Sequence, residues 1–161
     1  GVYEDHKFIQ PLEEFIRRIE REKIPLLGIC FGHQIIAQAL GGKVEKFSGG
    51  WSVGLKEYKW GNESIHLNAW HQDQVVKKPK KAKVLAENSF CKYAALSYGD
   101  TILTTQPHPE FTHEVIKGLI ETRGKGRVPE HLLDEALSNF EKKTSLNEIV
   151  GKFSSVLNGD Q

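Results

Sequence analysis

At 161 residues, 39% apolar and 27% charged, the chain has the size and composition of one folded domain with a hydrophobic core. Its net charge of +1 creates no field that would favour nucleic acid or a strongly acidic partner. No apolar run approaches the ~20 residues a membrane span needs, and two cysteines make no disulfide framework, so a cytoplasmic, reducing location without membrane attachment is expected.

Residues 7–22 place Phe8, Leu12, Phe15, Ile16 and Ile19 near helical spacing, which predicts an amphipathic helix with Pro11 in its first turn. Ile24–Ile29 is a short continuous apolar run, as in a buried strand of a parallel sheet. Phe31–Leu40 then reads as a helix that Gly41 and Gly42 end. Six strand candidates follow: Lys43–Phe47, Val53–Trp60, Ser64–Leu67, Lys83–Ala86, Tyr93–Tyr98 and Thr101–Thr105. Hairpin turns are expected at Gly61-Asn62 and Gly99-Asp100. The lysine run from Lys77 to Lys83 reads as a solvated loop, since no aromatic residues interleave it as a nucleic-acid platform would require. Thr112 is the expected N-cap of a helix over Val115–Thr122, and residues 129–140 and 145–157 predict two further helices. The order of elements predicts an α/β fold with part of a parallel sheet, forming one domain over residues 1–161.

The chemistry concentrates at a strand-to-helix turn. Gly28-Ile29-Cys30-Phe31-Gly32 has the pattern Gly-x-nucleophile-x-Gly in the context that a nucleophile elbow requires. A side chain at either flanking glycine is expected to crowd the turn. The helix N-terminus offers free N–H groups and partial positive charge, both of which favour a thiolate, and the N–H of Phe31 is a candidate oxyanion donor. A small buried cysteine in a glycine-rich turn would read the same way, so the assignment needs a second motif. Gln106-Pro107-His108-Pro109-Glu110-Phe111 supplies it directly after a strand candidate. Its prolines favour an extended chain, in which residues two apart share a side, so His108 and Glu110 are expected to meet as base and orienting carboxylate. Cys91 has no such setting and reads as structural or incidental. No Cys/His spacing fits zinc, and no phosphate-binding glycine loop with a lysine appears.

These two motifs, Pro25–Gln34 and Gln106–Phe111, resemble the class I glutamine amidotransferase family of the Cys-His-Glu type, with likeness to the amidotransferase domain of GMP synthase and to γ-glutamyl peptidases. The resemblance implies a flavodoxin-like α/β fold, with a parallel or mixed sheet flanked by helices. It also implies hydrolysis of the glutamine side-chain amide through a cysteine thioester, with Cys30, His108 and Glu110 as the catalytic set and no cofactor. It carries Gln34, Gly50, Trp51, Ser52, Val53, Trp70 and His71 over as residues bordering the substrate. The elbow lies deeper in the family's domain than residue 30. The resemblance therefore implies that early strands and a glycine-rich loop precede Gly1, leaving this chain N-terminally incomplete. Loss of such an oxyanion donor costs about 10²–10³ in rate, so a piece lacking it is expected to be weakened or inactive. The catalytic core is assigned to 1–123 and a helical extension to 124–161. That extension is too short for a synthase domain, so any ammonia acceptor would be a separate subunit. Stand-alone hydrolysis of a γ-glutamyl compound is the alternative, and a non-catalytic binding relative the third reading. His33 is expected to be structural, and His113 and Glu114 to cap or be solvated.

Overall fold

The computed structural model describes residues 1–159. Helix α1 (Ile9–Glu22) buries Ile9, Ile16 and Ile19 along one stripe, with Pro11 in the first turn, where a missing N–H costs nothing. Lys23, left-handed at φ 54°, ends it and turns the chain into β1 (Leu26–Ile29). Helix α2 (Phe31–Ala39) is enclosed on most sides, with His33, Gln34, Ile35, Ile36, Ala37 and Ala39 all buried. Then come β2 (Lys43–Lys46), β3 (Ser52–Trp60), β4 (Glu63–His71), β5 (Asp73–Lys77), β6 (Lys83–Glu87), β7 (Ala95–Tyr98) and β8 (Ile102–Thr105).

The main sheet runs β1-β8-β7-β6-β3-β4, and β2 pairs with β5 in a separate ribbon. This is the expected α/β fold, a mixed, curled sheet flanked by helices. Its parallel content among the described residues is the single pair β1·β8; every other pairing is antiparallel. Connection length explains this. A parallel neighbour needs a crossover of a dozen or more residues, whereas β3–β4 and β7–β8 turn through Gly61 and Gly99, both left-handed at φ 58° and 59°. Strand β5 was not among the sequence candidates. It is a mostly polar ribbon strand whose partner β2 shifts register, so no alternation marks it. Strand β4 outruns its expected span because buried polar residues, Asn68 and His71, interrupt the apolar pattern.

Thr112 caps α3 (His113–Leu119) as expected, its side chain accepting from the N–H of Val115 at 3.4 Å. The helix widens into one π-turn, Ile120–Gly124, before α4 (Glu130–Ser138) and α5 (Leu146–Asn158). Among the described residues no helix is long and apolar enough to cross a membrane.

The C-terminal segment is woven into the core. Helix α4 lies on β3 so closely that a Cβ added at Gly54, itself at φ 78°, would sit 2.5 Å from Cβ of Ala136. Leu133 and Ala136 pack with Val53, Ile116 and Ile120. Ile149 of α5 is fully buried with Tyr58, Leu67 and Leu103 beneath the main sheet. Truncating such a side chain removes contacts and leaves a cavity. Ile149→Ala is expected to lower the unfolding free energy by about 2–5 kcal/mol, read as a lower urea midpoint; a change under about 1 kcal/mol would mean that α5 is not part of the folding unit.

Candidate active site

One strand pair positions the site. Strands β1 and β8 run in parallel with Ile29 opposite Thr105, and the N–H of Cys30 donates to the Thr105 carbonyl at 2.8 Å. The residues that follow each strand, Cys30 and the Gln106–Glu110 segment, therefore leave the sheet at the same edge.

Cys30 has φ 49° and ψ −100°. With Lys23 it is one of two non-glycine residues at positive φ among the described residues. Such a conformation costs about 1–3 kcal/mol and persists only where the surroundings enforce it. Here the Cys30 N–H is tied to β8, and its carbonyl accepts from the N–H of Gln34 at 3.0 Å to start α2. A Cβ at Gly28 would lie 2.9 Å from the Gly32 carbonyl oxygen and 2.7 Å from Ile36 Cδ1. At Gly32 a Cβ would meet nothing within 4 Å. The expectation of crowding at both glycines is thus corrected: Gly32 matters through its backbone, which lies against Gly28. Phe31 opens α2, so its N–H has no partner within the helix. Its half-exposed ring packs on Phe8 at 6.3 Å.

His108 is anchored from β4, its N–H donating to the Asn68 carbonyl at 2.8 Å. The N–H of Phe111 then donates back to the His108 carbonyl at 3.3 Å. This closes a turn with Pro109 and Glu110 at its corners, Pro109 supplying the φ that the first corner wants. His108 and Glu110 do meet, with Nδ1 2.6 Å from Glu110 Oε1. They meet through the turn, however, and not through the extended alternation expected from sequence. The ring of Phe111 stacks flat on the imidazole, centroids 3.8 Å apart and 7° from parallel. The Phe111 carbonyl accepts from Asn68 Nδ2 at 2.9 Å. Burial pulls the His108 pKa down. Hydrogen bonds and charge from Cys30 and Glu110 outweigh that and raise it from 6.5 to about 9. An imidazolium is therefore favoured at neutral pH, with Nδ1–H on Glu110 and Nε2 left for Cys30.

Two other histidines behave oppositely. His71 donates Nδ1–H to the Asp73 carbonyl at 3.2 Å, and burial, reinforced by the His108 charge, lowers its pKa to about 4. His33 is fully buried with Nδ1 2.8 Å from the Thr104 hydroxyl, and burial lowers its pKa to about 3. The structural placement expected for His33 is what the chain adopts. His113 donates Nε2–H to the Lys142 carbonyl at 2.8 Å, tying α3 to the loop before α5.

Gln106 escaped the sequence reading of the site. Fully buried, it donates Nε2–H to Cys30 Sγ at 3.7 Å, while its Oε1 accepts from Gln34 Nε2 at 3.1 Å. Gln34 Nε2 also donates to the Asp73 carbonyl at 2.8 Å. The amide nitrogen of Gln34 is thus committed within the protein. A glutamine ahead of Pro-His carries no spacing signal that could have revealed this chain of bonds.

A cleft of about 360 Å³ opens at Cys30, bordered by Phe31, Gln34, Trp51, Trp70 and His71. Trp51 and Trp70 form one wall, edge to face at 6.2 Å, and Trp70 is backed by Gly124, where a Cβ would approach it to 3.3 Å. Three expected substrate neighbours do not line it. Val53 is fully buried in the core under α4, Ser52 is buried in β3, and Gly50, at φ 93°, shapes the turn that delivers Trp51. Tyr3, Lys46 and Asp73 do line it. The β2·β5 pairing sets Lys46 opposite Asp73, and the Tyr3 hydroxyl donates to Asp73 Oδ1 at 3.1 Å. A larger cleft, about 430 Å³, lies between Glu110 and the loop before α5 but does not reach Cys30. No group of three or more His, Cys, Asp or Glu that could hold a metal occurs among the described residues.

Residues 1–122 match the family model described as Glutamine amidotransferase class-I. Gamma-glutamyl peptidase 4 of Arabidopsis thaliana is 30% identical over 167 residues, covering 94% of this chain and 65% of the relative. A GMP synthase (glutamine-hydrolyzing) of Thermus thermophilus is 30% identical over 154 residues, covering 83% of this chain and 29% of the relative. A glutamine amido transferase from Methylobacillus flagellatus superposes with a TM-score of 0.82 at 17% identity, over 100% of this chain and 73% of that one, a likeness of fold. The chain spans between 53% and 65% of the length of the curated γ-glutamyl peptidases it matches.

The opposed environments have opposite pH signatures. The raised His108 pKa contributes stability that is fully present below about 6.5 and lost as pH rises through about 9. The lowered values of His33 and His71 contribute stability that is lost as pH falls below 6.5 toward 4 and 3. In an NMR titration of the imidazoles His108 is expected to titrate near 9, Glu110→Gln to move it downward, and His33 and His71 to stay neutral at pH 6. A His108 that titrates near 6.5 with or without Glu110 would contradict the assigned geometry.

Proposed function

The chain belongs to the glutamine amidotransferase class-I family, and from that premise we propose that it cleaves the side-chain amide of glutamine or of a γ-glutamyl compound, with Cys30 as nucleophile. The observation that carries this reading is the His108–Glu110 pair at 2.6 Å beside a cysteine held at positive φ.

In this mechanism Cys30 Sγ attacks the amide carbon as its proton resides on His108, and Glu110 holds the imidazolium at Nδ1. The N–H of Phe31, at the start of α2, donates to the oxyanion. His108 passes its proton to the departing nitrogen, the C–N bond breaks, and a γ-glutamyl thioester remains. Water then attacks the thioester as His108 takes its proton. Free glutamate leaves and Cys30 is restored. Gln106 keeps the thiol oriented through its 3.7 Å contact. Trp51, Trp70 and His71 border the place where the substrate's amino-acid end and leaving group would sit. Gly28 and Gly32 serve as elbow glycines.

Two leaving groups fit this site: ammonia, as in the amidotransferases, and the amine of a γ-glutamyl peptide. The second is favoured by the similarity to γ-glutamyl peptidases and by the cleft beside the tryptophan wall, which leaves room for a larger amine. A separate ammonia-accepting subunit accompanies the first reading only.

A glutamine-analogue electrophile is expected to add one label to Cys30 and none to the buried Cys91, whose thiol pKa burial pushes up to about 12. Cys30→Ser is expected to abolish both labelling and turnover, and Glu110→Gln to lower kcat at least about tenfold. Mass spectrometry of the labelled protein, with release of ammonia from glutamine compared against release of amino acid from γ-glutamyl dipeptides, separates the readings. Failure of Cys30 to label, with neither substrate turned over, would leave the binding relative as the remaining reading.

A further inference from the structure

The chain of hydrogen bonds that ends on Cys30 has a direction. It begins at the backbone carbonyl of Asp73, the first residue of β5, which can only accept. Gln34 meets that oxygen with an amide N–H at 2.8 Å. The reversed amide would set two oxygens against each other with no proton between them, so this contact fixes which end of the Gln34 amide is nitrogen. The other N–H of Gln34 then meets Gln106 Oε1 at 3.1 Å. That leaves Gln106 Nε2 as the end that reaches Cys30 Sγ, at 3.7 Å. Bonds in series thus carry the polarity of one backbone carbonyl to the sulfur, and both N–H groups of Gln34 are spent in doing so.

Each member of the chain is held in place. Gln34 is buried on α2, one turn past Cys30, and Gln106 is fully buried. The Gln106 N–H donates to the Ala94 carbonyl at 2.8 Å, and Pro107 fixes the next φ. The Asp73 carbonyl belongs to the β2·β5 ribbon and also accepts from His71 Nδ1 at 3.2 Å. Burying a side-chain amide is costly unless its bonds are made, and an apolar side chain of the same length would fill this space without that cost. What the amide provides, and an apolar chain would not, is an N–H aimed at the sulfur.

The imidazole of His108 is the other hydrogen-bond partner of the Cys30 side chain. Gln106 and His108 stand two residues apart on the segment after β8, so one stretch of backbone presents both groups to the thiol. In the mechanism above the proton of Cys30 resides on His108, and the sulfur that attacks is electron-rich. An N–H donor suits such a sulfur, whereas a carbonyl oxygen in the same place would repel it. The direction of the chain therefore matters to the chemistry as well as to the packing.

From this one-way chain we propose that Gln34 and Gln106 are positioning residues for the nucleophile: the Asp73 carbonyl orients Gln34, Gln34 orients Gln106, and Gln106 presents the N–H that steadies the sulfur for attack. Gln34, carried over from the resemblance as a neighbour of the substrate, thereby acts on the nucleophile too. The inference rests on the reading of Cys30 as that nucleophile.

The rate of Cys30 alkylation by iodoacetamide at neutral pH tests the proposal, because it reads the sulfur without requiring substrate to bind. Gln106→Met keeps the length of the side chain, removes the donor, and is expected to slow alkylation about fivefold. Gln34 has no hydrogen bond to the sulfur, yet Gln34→Met is expected to slow it about threefold, because a released Gln106 amide can turn its oxygen to the thiol. The double variant should be no slower than Gln106→Met alone, since the two residues act in series. Gln106→Glu, which keeps the shape but sets a carboxylate oxygen on the sulfur, should be the slowest. In turnover of glutamine, Gln106→Met should lower kcat about fivefold and leave KM within about twofold. The proposal is overturned if Gln106→Met, folded by its thermal melt, is alkylated at the unmodified rate, or if the two effects multiply in the double variant. Should Gln106→Met fail to fold, Gln34→Met decides, and an unchanged rate there overturns it. If the unmodified Cys30 takes no label from the glutamine-analogue electrophile, the nucleophile reading falls and this one with it; a labelled Cys30 that is indifferent to Gln106 overturns the positioning role alone.

Discussion

The site depends on the parallel pairing of β1 with β8. Because both strands run the same way and Ile29 stands opposite Thr105, their C-terminal ends coincide. The cysteine that follows one and the His-Pro-Glu segment that follows the other emerge together. An antiparallel pairing of two four-residue strands would set those ends apart by roughly 13 Å, at about 3.3 Å per residue. The bond from the Cys30 N–H to the Thr105 carbonyl is the last rung of that ladder and also the anchor for a strained residue. One interaction thus serves register, backbone strain and placement of the thiol. The rest of the fold supports it: Asn68 of β4 grips the His108 segment at both ends, and the helices after residue 124 close the cores beneath β3 and β8.

Environment then divides the work among histidines that lie near one another. His33, His71 and His108 start from the same ordinary pKa and end near 3, 4 and 9. All three are penalised by burial. Only His108 has a carboxylate on one ring nitrogen and a thiol for the other. Its charge in turn helps keep His71 neutral. A proton held in this region is therefore directed to one imidazole, the one that Phe111 stacks flat and Glu110 orients.

Much of this was legible in the sequence, for identifiable reasons. Helix α1 and strand β1 announced themselves by apolar period and by a continuous run, and the glycine pattern around Cys30 marked the elbow. The meeting of His108 with Glu110 was legible too, although proline acts there by opening a turn and not by keeping the chain extended. What stayed hidden depends on tertiary pairing. The antiparallel majority of the sheet follows from which short connections join which strands. Strand β5, mostly polar, exists because β2 pairs with it. Gln106, Tyr3 and Lys46 reach the site only through contacts distant in sequence. Val53 looked like a neighbour of Trp51 at the site, but strand alternation turns it into the core under α4.

The central claim is that this register delivers Cys30 to His108 as a working pair. The most direct test is the rate of Cys30 alkylation by iodoacetamide at pH 7, measured in the folded protein and in His108→Ala. The account predicts fast modification that falls by at least about tenfold when the imidazole is removed, since His108 is the group placed to take the proton from the attacking sulfur. Equal rates in the two proteins, with both folded, would contradict it.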